Sequence, residues 1–274
     1  LPGLHTFRIA TSGIKVFAPV IASPFDTPPQ SPIKRLSMGV AQLDEMLGGG
    51  LPQGYSLLVA GPSGSGKSIL AATFLAEGAR NGETGVIAVF EQRPNHSQNA
   101  TLSGLIASGQ VGLVDSRAPD LSIDEIVQLL LGEITRLKAT RVVIDSLSGF
   151  ELAVAPTFRE DFRESLSRMV TALTNSGVSV LMTSELEDRY TDLRFSPYGT
   201  AFLTDAIIVQ RYIEVQSRLL RIMAVVKVRA SAHSDELRQY FIDDSGLHIG
   251  DMLPEQEGLL GGRPTRQVLS KVDR

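Results

Sequence analysis

Short apolar runs alternate along this chain with longer segments whose apolar positions recur at helical spacing. Tyr55 to Ala60, Val86 to Phe90, Val142 to Asp145 and Val178 to Thr183 are nearly continuous in apolar side chains. Strands buried on both faces of a parallel sheet read this way, because neither face alternates with solvent. Residues 67–80, 122–138 and 159–176 separate them with helical patterning, so the order of elements predicts βαβ units and an α/β fold with a mostly parallel sheet. From Ala206 onward the rhythm changes. The runs Ala206 to Gln210, Leu219 to Val228, Gln239 to Ile242 and Leu247 to Ile249 follow with no helical segment between them, and predict an antiparallel C-terminal extension of that sheet.

The first residues stand apart. Thr6 to Ile9 and Ile14 to Val16 predict two extended segments joined by a turn at Thr11-Ser12-Gly13. Pro24, Pro28, Pro29 and Pro32 crowd the stretch Ser23 to Pro32. Proline lacks the N–H that helix and sheet interiors need, so this stretch reads as a linker. The expected division is a β-hairpin segment over 1–20, a Pro-rich linker over 21–32, a large α/β domain over 33–262 and a flexible tail over 263–274. A chain of 274 residues accommodates one large domain with short extensions better than two full domains. There is also an internal repeat: Arg8-Ile9-Ala10-Thr11-Ser12-Gly13-Ile14-Lys15-Val16 matches Phe241-Ile242-Asp243-Asp244-Ser245-Gly246-Leu247-His248-Ile249 at one fixed offset. Two readings fit. Ser-Gly turns recur in unrelated hairpins, or residues 1–20 are the tail of a preceding copy of the same domain. The chain opens on Leu1 rather than Met, which accords with a piece of a longer protein.

Composition narrows the function classes. With 26 basic and 30 acidic residues the net charge is −4, so no global positive field is present to hold nucleic acid phosphates. Cysteine is absent, which removes disulfides, thiolate metal sites and cysteine nucleophiles, and agrees with a reducing, cytoplasmic location. No apolar run approaches the roughly 20 residues needed to span a bilayer, so no membrane association is expected.

Chemistry concentrates at Gly61-Pro62-Ser63-Gly64-Ser65-Gly66-Lys67-Ser68. The segment satisfies G-x-x-x-x-G-K-[ST] between an apolar strand and a helix, the context in which that pattern cradles nucleotide phosphates. Gly64 and Gly66 let the backbone turn its N–H groups inward, where a side chain would obstruct approach. The start of the helix adds aligned donors and the positive end of its dipole. Lys67 is assigned to the β- and γ-phosphates, Ser68 to Mg²⁺, and Ser63, Gly64, Ser65, Gly66 and Ile69 to the surrounding ATP contacts. Val142-Val143-Ile144-Asp145 ends an apolar strand in an acid; such an Asp often only caps the next helix, but beside a phosphate loop it becomes a ligand to Mg²⁺, through a water. Glu91 closes the strand Val86 to Phe90, expected next to the phosphate loop, where a carboxylate would orient water against the γ-phosphate. Thr183, Ser184 and Glu185 end another apolar strand, either as γ-phosphate sensors or as a simple polar strand terminus. Lys227 and Arg229 alternate on a late strand and share one face. They are either a charged, solvated edge or cations given across a subunit boundary to a neighbouring ATP, with His233 joining them.

Together these residues resemble the KaiC family of the RecA superfamily. The resemblance covers roughly residues 33–262. It includes Arg35-Leu36-Ser37-Met38-Gly39 and Leu43-Asp44-Glu45-Met46-Leu47-Gly48-Gly49-Gly50-Leu51-Pro52, which look like the family's leading motif. The phosphate loop, Phe90-Glu91, Ile144-Asp145-Ser146, Leu181-Met182-Thr183-Ser184-Glu185 and Lys227-Val228-Arg229 with His233 follow in the family's order. The resemblance implies a RecA-like ATPase core, homo-hexameric rings with ATP between subunits, Lys227, Arg229 and His233 acting in trans, tandem copies in many members and a signalling protein partner. Two departures stand out. The family's acidic pair is Glu91-Gln92 here, and the positions before Thr204-Asp205 are Ala201 and Phe202, without the hydroxyls that the clock proteins phosphorylate. The reading that follows is an ATP-hydrolysing oligomeric regulator. One alternative is a Ser/Thr autokinase, with Ser196, Thr200 and Thr204 as nearby acceptors. Another is a RecA-like DNA-dependent ATPase, disfavoured because the loop Glu187 to Gly199 carries Glu187, Asp188 and Asp192 against Arg189 and Arg194.

Overall fold

The computed structural model describes residues 5–17, 34–90, 100–115, 122–154, 162–186, 203–252, 256–257 and 265–266. A hairpin of β1 (Thr6–Ala10) and β2 (Gly13–Phe17) precedes β3 (Arg35–Leu36), α1 (Ala41–Met46) and β4 (Leu51–Pro52). The core runs β5 (Ser56–Gly61), α2 (Lys67–Arg80), β6 (Gly85–Val89), α3 (Ala100–Ala107), β7 (Val111–Asp115), α4 (Ile123–Leu137), β8 (Arg141–Asp145), α5 (Leu147–Ala153), α6 (Phe162–Asn175) and β9 (Ser179–Glu185). After it come β10 (Ala206–Val215), β11 (Arg218–Val228), β12 (Arg238–Asp243) and β13 (Gly246–Met252), then the short pair β14 (Gln256–Glu257) and β15 (Thr265–Arg266).

Among the described residues a nine-stranded sheet organises the core, in the order β13-β12-β11-β10-β5-β9-β8-β6-β7. From β10 through β5, β9, β8 and β6 to β7 the neighbours are parallel; from β10 to β13 they are antiparallel. This is the predicted parallel core with its antiparallel extension. Strands at its centre are buried on both faces, so they bury alternate residues in two different cores. Leu58 and Ala60 of β5 join the core under α4, α5 and α6. Leu57 and Val59 join the other, under α1 and α2. One expectation is corrected by the strand order. β6 does not neighbour the β5 strand that leads into residues 61–68; β9 and β8 stand between them.

The helices follow local rules. α4 buries Ile123, Ile126, Val127, Leu130 and Ile134, a single stripe at helical spacing, and its N-cap Ser122 accepts from the Glu125 N–H. Lys138 then ends it in a left-handed conformation, φ 53°. α1, α3 and α5 escaped the sequence pattern because they are short, and β7, as long as β6, escaped it because Gly112 interrupts its apolar run.

Buried Arg141, 1 % exposed, ties the layers together at the start of β8. Its Nε donates to Glu83 Oε2 at 2.7 Å, and its Nη1 donates to the carbonyls of Ser37 at 2.7 Å and Phe74 at 2.9 Å. The guanidinium also lies over the Phe74 ring. Burial opposes ionisation of Glu83, but the hydrogen bond and charge of Arg141 outweigh it and hold that carboxyl below its ordinary range.

The leading glycine motif has an equally specific role. Gly48, Gly49 and Gly50 all have positive φ, at +74°, +104° and +104°. A Cβ on Gly50 would lie 2.5 Å from the Leu36 carbonyl oxygen, and one on Gly48 would lie 2.6 Å from that of Ala232. Only glycine fits there. Asp44 anchors the turn by accepting from Ser37 Oγ at 2.6 Å and the Met38 N–H at 2.7 Å. Arg35 caps it, donating from Nη1 to the carbonyls of Leu47 and Gly50 and from Nη2 to Ser231 Oγ.

Candidate phosphate-binding site

The fully buried strand β5 ends at Gly61, and the chain wraps back over residues 62–66 before α2 begins. Gly64 and Gly66 hold φ of +75° and +96°, the left-handed region that the sequence pattern required of them. Gly66 is the residue immediately before α2, so the helix starts at Lys67 with its free N–H groups facing the loop. Lys67 folds across that loop, its Nζ donating to the carbonyls of Gly61 at 2.9 Å and Pro62 at 2.8 Å. Ser63, Gly64 and Ser68 are exposed, and Ile69 is half-buried.

The loop is held from beneath by groups the sequence did not reveal. Ser65 is fully buried, and its hydroxyl donates to Gln210 Oε1 at 2.9 Å. Its side chain therefore anchors the loop to β10, leaving only its backbone for a phosphate. The Tyr240 hydroxyl donates to the Ser65 carbonyl at 2.6 Å. Burial pushes that phenol's pKa well up, so it remains a donor. Ile242 covers Gly66 so closely that a Cβ there would fall 2.3 Å from its Cδ1. Gln210 carried one signal, an amide closing an apolar run. Tyr240 and Ile242 carried none, because their role depends on where β12 lands.

Asp145 and the end of β9 reach the same end of the sheet. Thr183 donates its hydroxyl to Asp145 Oδ1 and so orients that carboxylate. Ser184 pairs in register with Ala60, one residue before the loop. It is fully buried, and among the described residues its Oγ has no hydrogen-bond partner. A buried hydroxyl beside a preformed loop of N–H donors fits an anionic ligand. A cavity of about 1100 Å³ reaches from Ser68, Ile69 and Asp145 along α2 to Arg80 and across to α3, and the turn from Asp243 to Gly246 also lines it. In that turn Asp243 accepts from the Ser245 hydroxyl and N–H and meets His248 Nε2 at 3.1 Å. Those bonds, Ser245's foremost, keep the exposed Asp243 carboxyl below its usual range.

Lys227, Arg229 and His233 are not brought to this loop. Lys227 Nζ donates to the Thr204 carbonyl at 2.6 Å, and Arg229 Nη1 meets Asp205 Oδ1 at 3.1 Å. Asp205 Oδ2 in turn accepts from the N–H and hydroxyl of Ser56, the first residue of β5. Gly61 is the last residue of that strand, so the cations sit at its opposite end, roughly 17 Å away at about 3.3 Å per residue. Burial, then the charge of Arg229, lowers the Lys227 pKa. His233 is exposed. The leading motif holds this cation segment in place through Arg35 to Ser231 and through the Ser234 N–H to the Met46 carbonyl.

Glu91, Gln92, Ser196, Thr200, Ala201, Phe202 and the loop from Glu187 to Gly199 lie outside the described residues. Phe90, just before Glu91, bonds through its N–H to the Asp145 carbonyl, so the end of β6 adjoins Asp145 rather than the loop. Thr204 is fully buried. Among the described residues no helix is long and apolar enough to cross a membrane.

Comparison with known proteins agrees with this arrangement. A family model described as "ATPase: KaiC" matches residues 36–253. The circadian clock oscillator protein KaiC of Rippkaea orientalis is 29 % identical over 272 residues, covering 97 % of this chain and 51 % of that protein. KaiC of Thermostichus vulcanus is 29 % identical over 238 residues, covering 85 % of this chain and 45 % of that protein. The chain thus spans about half the length of the curated relatives it matches. A solved KaiC-like protein from the hyperthermophilic archaeon Pyrococcus horikoshii superposes with a TM-score of 0.71 at 27 % identity, over 80 % of this chain and all of that one. With a RecA-like sheet, a phosphate loop at the head of α2 and a family match over most of its length, the chain belongs to the KaiC ATPase family.

Proposed function

We propose that this chain binds Mg-ATP on residues 61–68 and hydrolyses it within a homo-oligomer, a hexameric ring, in which the nucleotide lies between subunits. The observation that supports this most is the loop itself, preshaped by Gln210, Tyr240 and Ile242, with Lys67 and the N–H groups of α2 aimed into it. Lys67 would pass from its two carbonyls to the β- and γ-phosphates, an exchange of neutral acceptors for charged ones that strengthens its hydrogen bonds. Ser68 and Asp145 would hold Mg²⁺, which neutralises charge on the phosphates, and Thr183 keeps the Asp145 carboxylate oriented for that role. Ser184 would donate its unmatched hydroxyl to the same anion. Glu91 is assigned to orient the attacking water.

The separation between the cations and their own loop supports action in trans. Lys227 and Arg229 lie too far from residues 61–68 to serve a nucleotide there, and their mutual repulsion would be relieved by an anion arriving from a neighbouring subunit. Turnover of this kind would drive a cycle of conformational change or of binding to a signalling protein. The test combines sedimentation with phosphate release. Mg-ATP should drive assembly to a hexamer-sized species, and Arg229→Ala should keep nucleotide binding while losing turnover. A monomer with full turnover would contradict the shared site.

A further inference from the structure

Among the described residues two arginines are buried, and their surroundings are opposite. Arg141 is saturated by Glu83, two backbone carbonyls and the Phe74 ring. Arg211, on β10, is 8 % exposed, and its Nε is closed off from solvent without an acceptor. No hydrogen bond, ion pair or ring contact reaches its guanidinium among the described residues. A guanidinium carries its charge wherever it sits, and a buried charge without a counter-charge costs free energy that an arriving anion would return. Glu185, the acid after Ser184, offers no pairing, because it faces the other way along β9 and is exposed.

Strand register places Arg211 at the phosphate loop. Val209 of β10 lies opposite Ala60 of β5, and Ala60 lies opposite Ser184 of β9. Val209, Ala60 and Met182 share the core under α4, α5 and α6, and side chains two residues apart on a strand face the same way. Arg211, two residues after Val209, and Ser184, two after Met182, therefore project from that one face, on either side of the end of β5. Gln210 runs beside Gly61, where an added Cβ would lie 2.9 Å from its carbonyl oxygen. The next position on β10, Arg211, thus lies level with Pro62, whose carbonyl Lys67 Nζ already bonds. Lys67, Ser68 and Asp145 approach this end of β5 from the side of α2. Arg211 and Ser184 approach it from the other side, and both carry a buried polar atom without a partner.

We infer that Arg211 is a phosphoryl-binding residue, which takes, together with Ser184, the terminal phosphate of a nucleotide held on residues 61–68 or the free phosphate left once that group is cleaved. The inference rests on the reading of that loop as a nucleotide site. Charge on a transferred phosphoryl group is spread over three oxygens. Lys67, Ser68 and Asp145 serve it from the side of α2, and the planar fork of a guanidinium suits an oxygen that faces β9 and β10. A diphosphate leaves this place empty, so Arg211 makes the site distinguish a nucleotide with its terminal phosphate from one without. Lys227 and Arg229 sit at the opposite end of β5, whereas Arg211 serves the loop of its own subunit.

Titration calorimetry compares the native chain with Arg211→Met, which keeps an apolar stem and removes the charge. The probes are Mg-ADP, the non-hydrolysable Mg-AMPPNP, and inorganic phosphate added to the chain already holding Mg-ADP. Mg-ADP should bind both chains equally. Arg211→Met should lose about 10–100-fold in affinity for Mg-AMPPNP, for inorganic phosphate, or for both. Loss with Mg-AMPPNP alone assigns Arg211 to the phosphate still on the nucleotide, and loss with inorganic phosphate alone assigns it to the cleaved product. Arg211→Lys, which keeps the charge without the fork, should fall between the two chains. Urea unfolding without ligand separates this role from a structural one: relieved of an unpaired charge, Arg211→Met should unfold at the same or a higher urea concentration. Unchanged affinity for both phosphate probes, an equal loss for Mg-ADP, or a variant that unfolds earlier than the native chain would overturn the inference. A native chain that takes up no Mg-ADP would overturn the underlying nucleotide site, and the inference with it.

Discussion

Replacing Gly66 with alanine probes the contact between the phosphate loop and the β12 hairpin. The added Cβ would lie 2.3 Å from Ile242 Cδ1. Carbon atoms in ordinary contact sit about 3.5–4.0 Å apart, so Ile242 must withdraw by roughly 1.2–1.7 Å. The atom is the end of a half-buried side chain on a hairpin packed against α2, so it can turn aside at about 1–2 kcal/mol in strain and lost packing. Alanine at φ +96° adds a backbone penalty of about 1–2 kcal/mol. Gly66→Ala should therefore lose about 2–4 kcal/mol in urea unfolding, and Mg-ATP affinity should fall with it. Ile242→Val removes the offending methyl group. In the double variant the steric part should vanish and the backbone part remain, giving a favourable coupling of about 1–2 kcal/mol between two substitutions that are each destabilising alone. Four chains, unfolded in urea without nucleotide, complete the cycle. Additivity within about 0.5 kcal/mol would refute the placement of Ile242 over the loop.

Three other perturbations check separate parts of the account. Arg141→Ala leaves Glu83 with only the longer contacts from Lys34 at 3.5 Å and Thr140 at 3.3 Å and strands the Ser37 and Phe74 carbonyls, so stability should fall by about 3–5 kcal/mol and the melting temperature by roughly 10 °C; a loss below about 1 kcal/mol would show that these contacts do not hold the layers together. Because the Glu83 carboxyl titrates below its ordinary value of 4.5, its ion pair contributes fully above that value and is lost as pH falls through the lower folded pKa. Urea unfolding between about pH 5 and pH 3 should therefore show a steeper acid loss in the native chain than in Glu83→Gln, and parallel curves would refute the assignment. Glu91→Gln should retain Mg-ATP binding while slowing phosphate release by about 100-fold or more, and an unchanged rate would remove Glu91 from the role of base.

The fold was legible wherever one local rule decided the structure. The apolar runs became the parallel strands because a strand covered on both faces leaves little choice of residue, and α2 began at Lys67 because the loop pattern also fixes the helix start. Sequence could not order the strands. β6 was expected beside β5, but β9 and β8 intervene, a long-range choice that no local pattern encodes. The candidate site divides the same way. Gly64, Gly66, Lys67, Ser68 and Asp145 declared themselves through a motif or a strand end. Gln210, Tyr240 and Ile242, which brace the loop, come from β10 and β12 and acquire meaning only once those strands are placed. Ser65 shows the converse: its position in the motif suggested a phosphate contact, and its hydroxyl turns inward to Gln210, which leaves its backbone for that contact. The leading glycine motif was recognisable, yet its work, three positive φ values and a clamp on the segment carrying Arg229, needed coordinates.

The central claim is that Lys67 and the glycine-rich turn before it enclose a triphosphate at the head of α2. Titration calorimetry of the folded chain with Mg-ATP measures this directly. Saturable uptake of one nucleotide per chain, abolished in a folded Lys67→Ala variant, is the predicted result; no saturable heat from the native chain, or undiminished binding in the variant, would contradict it.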